Sequence, residues 1–239
     1  PDSEFTQWRG FKSLHRLIVT SATYRQSSNV RTELDEADPE HQLFARQRRF
    51  RLEAESIRDV SLAASGLLCR KVGGPSVFPY QADGILENRA TPATWTISEG
   101  EVRYRRGLYT WVWRLTPHPG LPLFDAPDGV TSCTRRTLSN VPVQALTLLY
   151  GPTFVEAARA MAVRVVSVAA TSDKERIVAM IRICLSREPS SAELALLKTL
   201  ITEQRQVLKA NQSQASQICQ DSAPPNCDAV EFATWVIVS

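Results

Sequence analysis

Hydrophobic residues recur at helical spacing along much of the chain. In residues 11 to about 23 the apolar positions fall on one face, which predicts an amphipathic helix. The run from 41 to 68 has the same period and predicts one long helix or two joined helices. A start signal at Asn140 and Pro142 predicts a helix over "VPVQALTLL", with a break or restart at Gly151–Pro152.

Helix start signals become frequent toward the C-terminus. A capping residue followed three positions later by glutamate satisfies the free N–H groups at the start of a helix. Three such pairs occur: Ser172 with Glu175, Ser190 with Glu193, and Asp228 with Glu231. They predict two helices joined as a hairpin and one final helix.

The middle of the chain lacks this period. "KVGGPSVFPYQADG" contains three glycines and two prolines, and residues 116–128 carry four prolines, so both stretches are predicted to be loops. Residues 93–107 favour a small β-hairpin that turns at Glu99–Gly100. Residues 108–115 are compatible with a strand by their aromatic and β-branched content, and with a helix by their apolar spacing.

These patterns predict a mainly α protein, an irregular helical domain with a Pro/Gly-rich middle region and a small β-hairpin. We expect a single family domain over residues 1–239. Its parts are N-terminal helices in 1–70, an irregular loop and hairpin region in 71–128, and a C-terminal helical part in 129–239. The chain begins without methionine and ends in an apolar run, so we expect a fragment truncated at both ends.

Composition narrows the function classes. Apolar residues make up 43% and charged residues 22%, and the net charge is +3, which does not call for a polyanionic partner. The basic run "RQRRFR" is followed directly by acidic residues, which disfavours nucleic-acid binding. No stretch approaches the roughly 20 apolar residues of a membrane span, so we expect no transmembrane segment.

The cysteines and histidines suggest no cofactor site. The five cysteines form no C-x-x-C pair and no C-x-x-C-H haem attachment, and the three histidines lack ligand spacing, so we expect no metal and no cofactor within this chain. Cys219 and Cys227 lie in a polar stretch where a disulfide would close a small loop, and this bond would require an oxidising compartment.

Charged and aromatic residues supply the candidate binding groups. Arginines beside aromatic rings or a helix start suit anions and sugars, whereas ion pairing within the fold would give the same pattern. The candidate ligand-binding residues are Arg105, Arg106, Tyr109, Asp125, Asp128, Arg135 and Arg136. A separate structural salt network is predicted for Arg51, Glu55, Arg58 and Asp59.

Several blocks occur in the order typical of one family. They include "LHRLIVTSATYRQSS", "DPEHQLFARQRRFRLEAESIRD", "GGPSVFPYQ", "YRRGLYTWVWR" and "FDAPDGVTSCTRRTLSNVPVQALTLL". The chain resembles the planctomycete-type cytochrome-c-associated C-terminal domain, a domain of unknown function. Tyr150–Gly151 departs from the Asn-Asp pair that the family pattern has at this turn.

The resemblance implies a large exported protein. In it a cytochrome-c-like segment and a second uncharacterised domain would precede this one, the haem c would sit on a separate domain, and the location would be periplasmic or otherwise extracytoplasmic. The resemblance carries no reaction and no catalytic residues, so the catalytic residues stay unknown and the choice between enzyme and non-enzyme stays open.

Two hypotheses follow. The first is a helical scaffold or interaction domain that packs on the preceding domain of the same polypeptide. The second is one part of a composite binding or catalytic site for an anionic or polyhydroxylated carbohydrate in a haem-linked redox system.

Overall fold

The computed structural model describes residues 10–82, 84–86, 94–114, 116–169, 172–220 and 222–239. These residues form nine α-helices, and their β-structure is limited to three isolated bridges. The predicted mainly α class is confirmed. The chain divides into two compact units, residues 1–51 and 52–239.

The first unit contains two helices, α1 (Phe11–Thr20) and α2 (Thr32–Asp35). The amphipathic helix predicted to end near residue 23 is confirmed as α1, three residues shorter. The hydroxyl of Ser21 donates a hydrogen bond of 2.8 Å to the carbonyl of Ile18, which caps the end of the helix.

The long helix predicted from residue 41 is wrong in its first half, because residues 41–53 are not helical. The buried carboxylate of Asp38 accepts the backbone N–H groups of Gln42 and Leu43 at 2.7 and 2.8 Å. His41 and Phe44 have φ angles of 57° and 53°, in the left-handed region. This local turn competes with the helical ladder for the same backbone donors.

The second unit contains the other seven described helices. They are α3 (Ala54–Ser65), α4 (Pro142–Tyr150), α5 (Pro152–Val166), α6 (Asp173–Leu185), α7 (Ser191–Ala210), α8 (Gln212–Cys219) and α9 (Ala229–Val238). The predicted caps are confirmed: side chains of Ser172, Ser190 and Asp228 each accept a backbone N–H at the start of α6, α7 and α9. Helix α8 was not predicted.

The main core surrounds α9. Phe232 and Trp235 of α9 are fully buried, together with Val165 of α5, Ile177 of α6 and Ile201 of α7. A smaller core joins Ala54 of α3 to Leu121 and Phe124 of the Pro-rich loop. Burying a large apolar side chain contributes about 1.5–3 kcal/mol, so α9 is the element on which the helical part depends most.

The hairpin predicted for residues 93–107 is wrong. Gly100–Tyr104 and Gly107–Tyr109 form 3₁₀ turns, and the residues before them bond to another loop. The indole N–H of Trp95 donates to the carbonyl of Pro79 at 2.7 Å, and the N–H of Ser98 donates to the carbonyl of Phe78 at 2.9 Å. The backbone N–H of Ser98 is thus bonded to another loop and not to a hairpin partner strand.

Residues 108 and 109 belong to the second 3₁₀ turn, and residues 110–114 form neither a helix nor a regular strand. Thr110 makes an isolated parallel bridge with Val77, and Trp113 makes an antiparallel bridge with Thr116. Residue 115, the end of the ambiguous stretch, and residue 93, the start of the predicted hairpin, lie outside the described residues.

Candidate functional site

Helix α3 carries acidic side chains that hold two distant loops. The guanidinium of Arg136 donates to both carboxylate oxygens of Glu55, at 2.6 and 2.9 Å, and lies 3.3 Å from Glu53. The hydrogen bonds from Arg136 hold the pKa of Glu55 below its usual value, against the effect of partial burial. Arg136 thus fixes the loop before α4 to the start of α3.

One turn further along α3, Asp59 holds the 3₁₀ turns. Its carboxylate accepts the N–H of Gly107 at 2.6 Å and the Nε–H of Arg106 at 3.1 Å. The neighbouring Arg58 is buried and donates to the carbonyl of Arg103 at 2.9 Å. Three members of the predicted salt network, Glu55, Arg58 and Asp59, therefore contact residues far away in sequence, while Arg51 is the last residue of the first unit.

Of the candidate ligand residues, Arg105 lies inside the fold and Tyr109 is half-buried beside it. Arg105 is 2% exposed and donates to the carbonyls of Pro75 and Gly73 at 2.7 and 2.6 Å. Its guanidinium carbon lies 3.6 Å from the centre of the Tyr109 ring, and the Tyr109 hydroxyl accepts the N–H of Gly73. The pair supports the loop that contains Gly73 and Pro75, and the charge of Arg105 is not exposed to solvent.

Asp125 and Asp128 serve their own loop. Asp125 accepts the N–H and the hydroxyl of Ser139 at 2.8 and 2.7 Å. Asp128 accepts the N–H of Val130 at 2.9 Å, and this backbone hydrogen bond lowers the pKa of its carboxyl. Arg135 is exposed, and no ion pair to it is found among the described residues.

The predicted disulfide residues Cys219 and Cys227 are free thiols in this structure. Burial raises the pKa of both thiols. Their Sγ atoms donate weak hydrogen bonds to the carbonyls of Ala229 and Asp228. A disulfide between them in an oxidising compartment stays a prediction.

Within the described ranges, no group of three or more His, Cys, Asp or Glu side chains is arranged to hold a metal ion. Among the same residues, no helix combines the length and the apolar character needed to cross a bilayer.

Helix α4 of the second unit exposes a row of apolar side chains. Its exposed side chains, which we call the α4 surface, are Val143, Leu146, Leu148, Leu149 and Tyr150, with exposed fractions from 44% to 74%. In α4 only Gln144 is buried, and its amide donates to the carbonyl of Leu123 at 2.9 Å. A single polar anchor thus fixes a helix whose leucines face solvent.

Sequence reasoning predicted the α4 helix but missed its exposure. "PVQALTLLY" is apolar on nearly every face, which is typical of a helix covered on all sides. This all-round apolar pattern was the signal in the sequence for a binding surface, because an apolar helix at the surface of its own unit indicates a partner that covers it.

Comparison with known proteins gives one family. The model of the family described as "PSD1: Protein of unknown function (DUF1553)" matches residues 4–201, which is most of the chain. No curated protein matches the chain, and neither does any solved structure.

Proposed function

The chain belongs to the PSD1 (DUF1553) family, a family of unknown function, and from that premise we propose that it is a helical interaction module. Its partner is another domain, which covers the α4 surface. The observation that carries this proposal is the exposure of Leu146 and Leu149, at 53% and 65%, on a helix with almost no polar side chains. Burying one leucine contributes about 1.5–3 kcal/mol to association.

The charged side chains support the same proposal. Arg136, Arg106 and Asp125, which sequence patterns made candidates for ligand binding, are engaged with Glu55, Asp59 and Ser139 instead. The contacts of Arg136 and Asp125 hold the segment that leads into α4, and a rigid surface loses less conformational entropy on docking.

The partner that fits best is the preceding domain of the same polypeptide. This choice rests on the resemblance to cytochrome-c-associated C-terminal domains, in which a haem c segment lies on a separate domain of an exported, extracytoplasmic protein. In this role the module orients the haem-bearing part of the polypeptide and carries no haem itself. An oxidising compartment would also permit the Cys219–Cys227 disulfide.

The test is a binding titration between this chain and the preceding domain produced separately. Leu149→Lys should weaken the complex about tenfold or more, because it places a charge in an apolar contact, and it should leave the melting temperature of the free chain unchanged. Leu196→Lys is the matched control, since Leu196 is a leucine of α7 that is 70% exposed. Equal affinities for the two variants would reject the α4 surface as the contact.

A second candidate function is a composite site for an anionic or polyhydroxylated carbohydrate. Trp111 favours it, because its ring is 39% exposed and is stacked on Phe78 with 5.6 Å between ring centres. Exposed aromatic rings suit sugar faces, and Arg135 would add a positive charge. Here Trp111→Ala should abolish the shift of the melting temperature by acidic sugars, whereas Leu149→Lys should not.

A further inference from the structure

A cavity of about 220 Å³ opens between α3, α5 and the first 3₁₀ turn of the second unit. Its polar lining consists mainly of Arg58, Arg103, Arg159, Tyr104, Glu156 and Thr153. We call it the arginine cavity. Its lining does not include Arg136 or Glu55, which hold α3 to the loop before α4. None of the lining residues belongs to the α4 surface.

The lining carries more positive than negative charge. Glu156 is the one carboxylate among the lining residues, and it is already bonded to Arg103 and, at 2.6 Å, to the hydroxyl of Tyr104. Arg159 uses its Nε–H for the carbonyl of Ile218, at 2.7 Å, which is a neutral acceptor. The lining thus holds three guanidiniums and one carboxylate, and Asp59, which is not a lining residue, adds a negative charge that acts on Arg58.

Arg58 is the lining residue that most needs an anionic partner. It is 9% exposed, and its Nε–H is buried with no hydrogen-bond partner. Its one hydrogen bond is to the carbonyl of Arg103, and no carboxylate binds it among the described residues. The charges of Asp59 and Glu156 act on Arg58 without a hydrogen bond to it, and its buried Nε–H stays unsatisfied, a cost that an anion in the cavity would offset.

Helix α5 adds a second source of positive potential. The helix has 15 residues, and Pro152 and Thr153, its first two, line the cavity. Pro152 has no N–H, and the N–H groups of Phe154 and Val155 donate to the Gly151 carbonyl at 2.8 and 2.9 Å, so this helix end acts mainly through its dipole, which favours negative charge. The arginines and the helix start thus act on the same space.

We propose that the arginine cavity binds a small oxyanion, the carboxylate or phosphate group of a compact metabolite. The volume is below the roughly 300–1,000 Å³ of sites for drug-sized ligands, which restricts the ligand to a small molecule. Arg58 and Arg159 hold the anionic group, since guanidinium donors match carboxylate and phosphate oxygens. Glu156 and Tyr104 face the remainder of the ligand, where they would recognise hydroxyl groups.

The experiment is calorimetric titration of the full chain at constant ionic strength with inorganic phosphate, galacturonate and neutral galactose. Saturable binding of phosphate or galacturonate, and none of galactose, is the expected result. The first two probes distinguish a phosphate site from a carboxylate site. Absence of saturable binding of both anions would overturn the proposal.

Two variants separate binding from a structural role of the arginines. Arg58→Gln should weaken anion binding about tenfold or more, the loss expected for one charged hydrogen bond. Because Arg58 also holds the carbonyl of Arg103, this variant alone could act through the fold. Glu156→Gln removes the one negative charge of the lining and should tighten anion binding, which no purely structural role predicts.

The matched control is Arg182→Gln. Arg182 lies on α6, its side chain is 62% exposed, and its ion pair is with Glu188, outside the cavity. The Arg182→Gln variant loses the same charge as Arg58→Gln and should leave the affinity for the anion unchanged. An equal loss for Arg182→Gln and Arg58→Gln would indicate general attraction to net charge and would also overturn the proposal.

Discussion

The guanidinium of Arg136 and the carboxylate of Glu55 form two parallel hydrogen bonds, of 2.6 and 2.9 Å, although the residues lie 81 positions apart. The exposed fractions of the two side chains are 28% and 30%, so water screens the pair only in part. Bidentate geometry of this kind is the strong form of the arginine–carboxylate contact. It joins the start of α3 to the loop that leads into α4, and so it positions the α4 surface.

Arg136→Ala should therefore destabilise the chain by about 2 kcal/mol, the cost of losing charged hydrogen bonds. For a domain of this size the midpoint of thermal unfolding should fall by several degrees, at about 2–4 °C per kcal/mol. Arg135→Ala is the control, because the neighbouring Arg135 is exposed, and its effect should stay below about 0.5 kcal/mol. Equal shifts for the two variants would contradict the assignment of Arg136 as the clamp.

A second ion network joins three helices around the main core. Arg205 of α7 binds both oxygens of Asp173 at 2.5 and 2.8 Å, and both oxygens of Glu231 at 2.7 and 2.8 Å. Glu231 also accepts the indole N–H of Trp235 at 2.8 Å. Because Trp235 is fully buried, the network fixes the orientation of the central helix α9.

Arg205→Ala should cost about 3 kcal/mol, because Asp173 and Glu231 lose the four hydrogen bonds from its guanidinium, and Arg176 remains only near Glu231, at 3.4 Å. Urea unfolding followed by circular dichroism measures the difference. The comparison variant is Arg187→Ala, which breaks an exposed pair with Glu193 at the start of the same helix and should have a much smaller effect. A larger loss in Arg187→Ala than in Arg205→Ala would refute the structural role of the network.

The same network predicts acid sensitivity. Hydrogen bonds from Arg205 lower the pKa of Asp173. For Glu231, burial raises the pKa, but hydrogen bonds from Arg205 and Trp235 outweigh burial and the pKa is lowered. Both carboxyls thus bind protons less readily in the folded chain than in the unfolded chain.

For a lowered pKa, the stabilisation is present above the unfolded value and is lost as the pH falls through the folded value. The free energy of unfolding should therefore decrease as the pH falls below about 4.5, the ordinary value for glutamate. Denaturant titrations between pH 6 and pH 3 measure this decrease. It should be shallower in Arg205→Ala, and an unchanged profile in that variant would count against the network as its source.

Local sequence signals predicted the helices well. The Ser190–Glu193 pair needs only residues three positions apart, so the start of α7 is visible in the sequence. The helix predicted from residue 41 failed because its apolar period was real but Asp38 captured the backbone donors of Gln42 and Leu43. Periodicity gives the preferred face of a helix and carries no information about such side-chain competition.

The candidate site was harder to predict, because its pairs lie far apart in sequence. Arg136 pairs with Glu55 and Arg103 pairs with Glu156 only after folding. Arginine and aspartate content can identify charged loops, but it does not distinguish an arginine that binds a ligand from one that binds a helix. Arg58, whose buried Nε–H is unpartnered in the arginine cavity, was predicted from sequence to be one member of a structural salt network.

His118, in the middle region of the chain, should give stability a second pH dependence. It falls at higher pH than the dependence due to the carboxyls. Its Nδ1 accepts the N–H of Gly120 at 3.2 Å, and its Nε2 lies 2.8 Å from the carbonyl of Tyr80. These partners assign the proton to Nε2 in the neutral ring. Burial lowers the pKa of His118, and the charge of Arg58 lowers it further, against the effect of the Tyr80 carbonyl.

The unfolded chain therefore binds a proton at His118 more readily than the folded chain does. The free energy of unfolding should fall as the pH drops below about 6.5, the ordinary histidine value, with a slope no steeper than about 1.4 kcal/mol per pH unit. Thermal melts between pH 7.5 and pH 5 should show this dependence in the parent chain and in His15→Gln. It should vanish in His118→Gln. A dependence that persists in His118→Gln would assign the proton uptake to another group.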